Sequence, residues 1–182
     1  MEDTRAEREE RFRLLFDATK AVVRAYAWRR APDLADDIVA ETFATAWQHL
    51  DAVPSEPLPW LLSVARNARL NAERGERRRR ERESRCAEAD VAPPFTDAVE
   101  ARAEVWAALR HLTERDREIL LLAAWERLDR AGLATTLGCS KTAAGVRLFR
   151  ARKRLAAALD DAAADPRSPL VADTRGRLLD EC

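Results

Sequence analysis

Leu133-Ala-Thr-Thr-Leu-Gly-Cys-Ser140, continued by Lys141-Thr-Ala-Ala-Gly-Val-Arg-Leu-Phe-Arg-Ala-Arg-Lys-Arg-Leu155, is the stretch that decides the fold. It predicts a short helix from about Arg130 to Leu137, a stop at Gly138, and a last helix capped by Ser140 that runs to roughly Asp161. Two helices joined by a three-residue turn make a helix-turn-helix. On the second helix Ala144, Leu148, Ala151 and Leu155 recur at spacings of 4, 3 and 4, which is one buried stripe. Arg147, Arg150 and Arg154 share a different stripe at spacings of 3 and 4. Such an arginine face can enter a major groove and reach phosphates and guanine edges. The helix start at Ser140 and Lys141 can also offer backbone N–H groups to a phosphate. A solvated basic helix in a bundle would carry the same stripes. The Gly-containing turn, the preceding short helix and the basic charge together point to DNA.

Working outward, no stretch alternates apolar and polar residues as a half-buried strand would, so the chain is read as all-α. A first helix from about Arg8 to Arg30 carries Phe12, Leu15, Phe16, Thr19, Val22, Val23, Tyr26 and Ala27 at helical spacing and ends before Pro32. A second, from about Leu34 to Leu50, buries Ile38, Val39, Thr42, Phe43, Ala46, Trp47 and Leu50 and turns Asp37, Glu41, Ala44 and Gln48 outward. Three prolines between Asp51 and Pro59 predict a loop, after which a helix runs from Trp60 to about Arg82 with Leu61, Val64, Ala65, Ala68 and Ala72 as its core stripe. Helices are also expected from about Asp97 to Leu112 and from Glu114 to Leu128, with Thr113-Glu-Arg-Asp116 as a capping box between them. The expected organisation is two small helical domains, 8–85 and 97–161, joined by a flexible linker at 86–96 and followed by a poorly ordered tail at 162–182.

Composition narrows the function classes. The 182 residues hold 32 Lys+Arg and 32 Asp+Glu, with 47% hydrophobic residues, which excludes wholesale disorder. Only 5 Gly are present and no Gly-rich phosphate-loop pattern occurs, which argues against nucleotide-fold enzymes. No apolar run approaches the roughly 18–20 residues of a membrane span, and the charged start is unlike a secretory signal. Cys86, Cys139 and Cys182 stand far apart with no Cys-x-x-Cys, a pattern that fits reduced thiols in a cytoplasm. The histidines at 49 and 111 lack a Glu three residues before them, so the di-metal bundle motif is missing. The expectation is a cytoplasmic protein that is no enzyme and takes no metal or cofactor.

The zero net charge hides a segregation. Between Ala31 and Val64 there is no Lys or Arg, while Asp33, Asp36, Asp37, Glu41, Asp51 and Glu56 all fall there. From Arg74 to Arg85 seven Arg face three Glu, and from Lys141 to Arg154 six basic residues face no acid. One acidic and two basic surfaces imply two kinds of partner, of which nucleic acid is one. Asn67, Asn71, Arg74 and Arg78 also form a polar stripe at spacings of 4, 3 and 4 beyond Trp60. An aromatic beside amides and arginines suits single-stranded DNA, although Trp60 reads equally well as a core anchor.

The arrangement resembles the extracytoplasmic-function (ECF) group of the bacterial RNA polymerase sigma-70 family, whose members keep regions 2 and 4. Asp36-Asp-Ile-Val-Ala-Glu-Thr-Phe-Ala-Thr-Ala-Trp47 is similar to region 2.2, and Trp60-Leu-Leu-Ser-Val-Ala-Arg-Asn67 to region 2.3 and the start of 2.4. Leu112-Thr-Glu-Arg-Asp-Arg-Glu-Ile-Leu120 and Leu137 to Leu155 are similar to region 4. The resemblance implies a sigma factor that binds core RNA polymerase, recognises the −10 and −35 promoter elements and promotes melting. Asp36, Asp37, Glu41 and Thr42 would dock on the β′ clamp helices, with further contact to the β subunit. The loop Asp51–Pro59 with Trp60, Arg66, Asn67, Asn71 and Arg74 would capture bases of the melted −10 element. Ser140, Lys141, Arg147, Arg150 and Arg154 would read the −35 duplex. The resemblance further implies an anti-sigma factor as a partner. Leu62-Ser63 stands where the family often has Tyr-Arg, and Gly145 replaces a frequent DNA-contacting Lys at about 1 kcal/mol of helix propensity relative to Ala. The alternative reading is a helix-turn-helix regulator with a helical sensing or dimerisation domain, which has no use for the Asp36–Trp47 and Trp60–Asn67 helices.

Overall fold

The computed structural model describes residues 4–83 and 100–164. The expected linker at 86–96 and all of the expected tail beyond Ala164 lie outside them. The described residues form seven α-helices: α1 Arg5–Arg30, α2 Ala35–Gln48, α3 Pro57–Glu83, α4 Glu100–His111, α5 Glu114–Ala124, α6 Arg130–Leu137 and α7 Lys141–Ala164. Short 3-10 turns at Pro32–Leu34 and Leu50–Ala52 close the gaps around α2. No strand occurs among the described residues, and none of their helices is long and apolar enough to cross a membrane.

The helices form two compact units. The first takes its described residues from Met1–Phe95 and adds Leu128–Lys141, so that α6 joins α1, α2 and α3. Thr4 starts α1 with a capping box, its hydroxyl accepting from Glu7 N–H at 3.3 Å while Glu7 Oε2 accepts from Thr4 N–H at 2.7 Å. The helix therefore begins before Arg8, a start written in Thr4-Arg-Ala-Glu7 that apolar periodicity does not register. Phe12 and Phe16 of α1 meet Phe43 and Trp47 of α2 edge to face, with centroids 5.3 Å apart for Phe12–Trp47 and 4.7 Å for Phe16–Phe43. Each such pair adds about 0.5–1.5 kcal/mol beyond its buried area. Because 12 pairs with 47 and 16 with 43, α1 and α2 run antiparallel.

The helix α3 starts a turn earlier than its periodicity suggests. Pro57 and Pro59 sit within its first turn, where the N–H groups have no intrahelical partner and a proline loses nothing. Its buried face is also broader than one stripe. Leu61, Leu62 and Ala65 have no exposed surface, Ala68 is 1% exposed, and Val64 and Ala72 are only half-buried. The reason is that α3 packs against α1, α2 and α6 together. The buried guanidinium of Arg69 is paired with Glu73 one turn on, which offsets the cost of its desolvation.

The second unit comprises the described residues of Thr96–Arg127 and Thr142–Cys182. Among the described residues, Ala108 and Leu109 of α4, Leu112 just after it, Ile119, Leu120 and Leu122 of α5, and Ala144, Leu148 and Ala151 of α7 are its buried apolar residues. Thr113 caps α5 by accepting from Asp116 N–H at 3.2 Å, but the return arm of the expected box runs from the Thr113 hydroxyl to the Asp116 carboxylate at 2.9 Å. Arg117 covers the end of α4: Nε donates to Leu109 C=O at 3.0 Å, and Nη2 to Arg110 and Leu112 C=O at 3.1 and 3.3 Å. Leu109 C=O also accepts from Leu112 N–H at 3.2 Å, and a cation beside these last carbonyls complements the helix dipole. The helix α5 ends at Ala124, short of Leu128, in a turn that puts Arg127 at φ 51°. No Gly or Pro signals that stop, so the pattern of apolar residues overruns it.

Removing the Arg117 side chain uncaps α4. Arg117→Ala is expected to lower unfolding stability by about 1–3 kcal/mol, read as a shift of the urea midpoint at unchanged slope.

Candidate nucleic-acid interface

Three surfaces carry the polar residues singled out above. The first is the outer face of α2. Asp36, Asp37 and Glu41 are exposed, and Asp36 and Asp37 lie in the first turn, where the helix dipole favours negative charge. Arg24 of α1 reaches Asp36 at 3.8 Å, an exposed pair of small energetic weight. Thr42 does not belong to this surface. It has no exposed area, and its hydroxyl donates to Ile38 C=O at 2.6 Å. One position after Glu41, the helix rotation of 100° has carried it onto the core face. Thr42 is thus corrected from a docking residue to part of the support beneath one.

The second surface is a ridge on α3. Trp60, Val64, Asn67, Asn71, Arg74 and Arg78 follow one another at three- and four-residue spacing, with Trp60 half-buried at the loop end and Asn67, Asn71, Arg74 and Arg78 exposed. Arg74 Nε donates back to Leu70 C=O at 3.0 Å on this exposed side chain. Arg66, half-buried, lies on the neighbouring ridge with Leu70 and Glu73. Leu62 has no exposed area and Ser63 donates to Trp60 C=O at 2.7 Å, so both serve the helix and its packing.

At the start of the loop that leads into α3, Asp51 accepts from Arg8 at 2.7 Å and from Arg11 at 3.2 Å, while Arg11 also donates to Leu50 C=O at 3.3 Å. The Arg8 hydrogen bond holds the Asp51 carboxyl below its ordinary range, with Arg11 adding to the effect. Arg8 also lies over the Trp47 ring, 5.7 Å from its centroid. Two arginines from α1 thereby fix where the loop departs, a role that its acidic composition does not announce.

The third surface is α7 with the turn before it. Asp129 caps α6 by accepting from Gly132 N–H at 2.7 Å. Gly138, at φ 62°, closes α6: its N–H reaches Thr135 C=O at 3.3 Å and Cys139 N–H reaches Ala134 C=O at 3.0 Å. A residue with a Cβ is strained at that φ, which is why glycine stands there. Ser140, Lys141, Arg147 and Arg150 are exposed at or along α7. Arg154 is exposed too, but its Nη1 donates to both Asp116 oxygens at 2.9 and 2.7 Å. The face also carries Phe149, 70% exposed, and Val146, 43% exposed, which the arginine count passes over. Their signal was present in the pattern, since both lie off the Ala144–Leu148–Ala151–Leu155 stripe.

Comparison with known proteins places these surfaces in a family. Sigma-70 region 2 matches residues 15–79 and Sigma-70, region 4 matches residues 102–155. The ECF RNA polymerase sigma factor SigL of Mycobacterium tuberculosis (strain ATCC 25618 / H37Rv) is 30% identical over 157 residues, covering 82% of this chain and 89% of that one. The RNA polymerase sigma factor NccH of Alcaligenes xylosoxydans xylosoxydans is 33% identical over 135 residues, 68% of this chain and 72% of its own. In fold the chain is similar to the sigma factor RpoE of the complex with the anti-sigma factor NepR from Bartonella quintana, with TM-score 0.63 and 24% identity over 82% of this chain and 96% of that one. CnrH, solved with the cytosolic domain of CnrY, gives TM-score 0.53 and 25% identity over 82% and 88%. The fold and its polar faces define a sigma factor built from regions 2 and 4. The chain belongs to the ECF group of the sigma-70 family and acts in transcription initiation. Sigma factors are initiation factors and not enzymes. The reading as an ordinary helix-turn-helix regulator is set aside, because it leaves the region 2 match unexplained.

The difference between Glu41 and its neighbour Thr42 is measurable. Thr42→Lys places a charge where no surface is exposed and is expected to cost about 3 kcal/mol or more, whereas Glu41→Lys should stay within about 0.5 kcal/mol, both by urea denaturation.

Proposed function

We propose that this sigma factor joins core RNA polymerase to promoter DNA through the three faces described, with 8–85 and 97–161 as its working domains. The observation that carries the reading is their segregation: exposed carboxylates on α2, an aromatic–amide–arginine ridge on α3, and an arginine face on α7. Asp36, Asp37 and Glu41 dock on the basic partner surface of the β′ clamp helices, and the β subunit meets the second domain. Trp60 stacks on an unpaired base where the 51–56 loop enters α3. Asn67 and Asn71 hydrogen-bond base edges of the −10 element, and Arg66 and Arg74 hold its phosphates. Trapping unstacked bases lowers the cost of opening the duplex, so melting needs no bond chemistry, no metal and no cofactor.

The −35 element is read by α7. Its N-terminus at Ser140 and Lys141 receives a phosphate, Arg147 and Arg150 reach guanine edges or phosphates, and Val146 and Phe149 pack on thymine methyl groups. Arg154 contributes to DNA through whichever donors its bond to Asp116 leaves over. The chain works in the cytoplasm, where its thiols stay reduced. An anti-sigma protein holds it inactive, a proposal supported by the likeness to RpoE, whose structure contains the anti-sigma factor NepR.

Run-off transcription with core polymerase over a promoter library tests the whole reading: the pair initiates from a cognate promoter and neither component does so alone. Total inactivity with every core enzyme and promoter overturns it. The combined Asp36→Lys, Asp37→Lys and Glu41→Lys variant should lose polymerase binding by at least about tenfold while its unfolding midpoint barely moves, since all three side chains are exposed. Arg147→Ala should lower −35 affinity and flatten its dependence on log salt by about one unit if a phosphate contact is lost. Unchanged affinity and slope place Arg147 off the DNA.

A further inference from the structure

Two arginines of α1 meet one carboxylate at the start of the loop that leads into α3. Arg8 Nη1 donates to Asp51 Oδ2 at 2.7 Å and Arg11 Nη1 to Asp51 Oδ1 at 3.2 Å, so each carboxylate oxygen has its own arginine. The second Arg11 nitrogen, Nη2, donates to Leu50 C=O at 3.3 Å and ties that backbone to the same guanidinium. Leu50 is buried, and its carbonyl also accepts from Val53 N–H at 3.3 Å, which closes the 3-10 turn Leu50–Ala52. Arg8 lies over the Trp47 ring at 5.7 Å, and Phe12 meets that ring edge to face at 5.3 Å. The turn is thus held by α1 through contacts 39 to 43 residues apart in the chain.

Stability does not account for this arrangement. The Asp51 side chain is 69% exposed, and ion pairs at such exposure contribute little to folding. What the contacts supply is position. Only Val53, Pro54, Ser55 and Glu56 separate the turn from Pro57, where α3 begins. The far end is fixed because Leu61 and Leu62 are buried without remainder, and Pro54 contributes one stiff backbone angle between the two ends. A short segment pinned at both ends has few conformations left to lose when it closes on a base. Releasing Asp51 frees the upstream end, and base capture then bears the cost of ordering the loop.

On the reading that the 51–56 loop and Trp60 capture −10 bases, we propose that Arg8, Arg11 and Asp51 form a positioning clamp for that capture. The first two turns of α1 hold the loop in its receiving shape, and Asp51 acts through the loop without touching DNA. The sign of the effect separates the clamp from plain electrostatics. Removing an acid beside DNA strengthens binding when charge alone decides. Removing this acid weakens base capture, because it lets the loop go.

The test uses the full chain with core polymerase and a promoter recovered from the run-off library, carrying 2-aminopurine at one −10 position to report unstacking. Asp51→Ala should open that promoter at least about tenfold less well than the unsubstituted chain. Its affinity for core polymerase alone should change by less than about twofold, and its urea midpoint should barely move, since the pair is exposed. Arg8→Gln with Arg11→Gln should show the same loss, and adding Asp51→Ala to them should lower opening by less than about twofold more. The salt slope of promoter binding should stay unchanged in the arginine variants. Equal or better opening by Asp51→Ala overturns the clamp and leaves the base-capture site standing. A combined loss equal to the product of the separate losses also overturns it. So does a slope flattened by about one unit per arginine, which makes the arginines phosphate contacts. A loss of opening matched by a large fall in the urea midpoint overturns positioning in favour of folding. A library that yields no promoter overturns both the clamp and the reading on which it rests.

Discussion

Leu61, Leu62, Ala65 and Ala68 leave almost no surface to water, and α1, α2 and α6 all close on the helix that presents them. Burying a leucine side chain is worth about 1.5–3 kcal/mol, so two adjacent fully buried leucines anchor the helix in rotation as well as in place. That rotation decides everything on the remaining face. With Leu61 and Leu62 inward, the ridge from Trp60 through Asn67 and Asn71 to Arg74 and Arg78 points outward. The same constraint explains why Ser63, beside the buried pair, spends its hydroxyl on the helix backbone.

A chain with 32 charges of each sign needs a rule for which of them meet and which stay available. On α2 the rule is helix rotation: Asp37 and Glu41 are one turn apart on the wet side, while Thr42 takes the dry side. In the second unit Asp116 lies 8% exposed and takes both of its ionic contacts from Arg154, so one arginine of the basic face is partly committed to its own fold. A half-exposed pair of this kind contributes modestly to stability, with both carboxylate oxygens held by the single Nη1. Beside it Val146 and Phe149 remain exposed on a helix that already buries Ala144, Leu148 and Ala151. That exposure leaves both side chains open to the thymine-methyl contact proposed for this helix.

The helix-turn-helix helices, the acidic face of α2 and the polar ridge of α3 were legible because each rests on a short-range rule. Periodicity places Ala144, Leu148 and Ala151 inward, Gly138 supplies the left-handed stop, and the first turn tolerates proline. Boundaries failed where the signal was not apolar. The Thr4–Glu7 box set the start of α1, Pro57 belonged to the helix it seemed to forbid, and α5 ended at Ala124, ahead of a left-handed Arg127 that nothing in its side chain announces.

By itself, then, the sequence determined the helical class, the order of the motifs, the separation of acid from arginine and the family they resemble. These depend on interactions within a few residues of one another, which a linear pattern records. Only the tertiary structure decided that Thr42 is core, that Asp51 is gripped by Arg8 and Arg11 from more than forty and about forty residues away, and that Arg154 spans 38 residues to Asp116. It alone brought Thr136 to Pro59, 77 residues earlier in the chain. Such pairings depend on which buried faces meet, and many partners of equal local merit exist along the chain until packing excludes all but one.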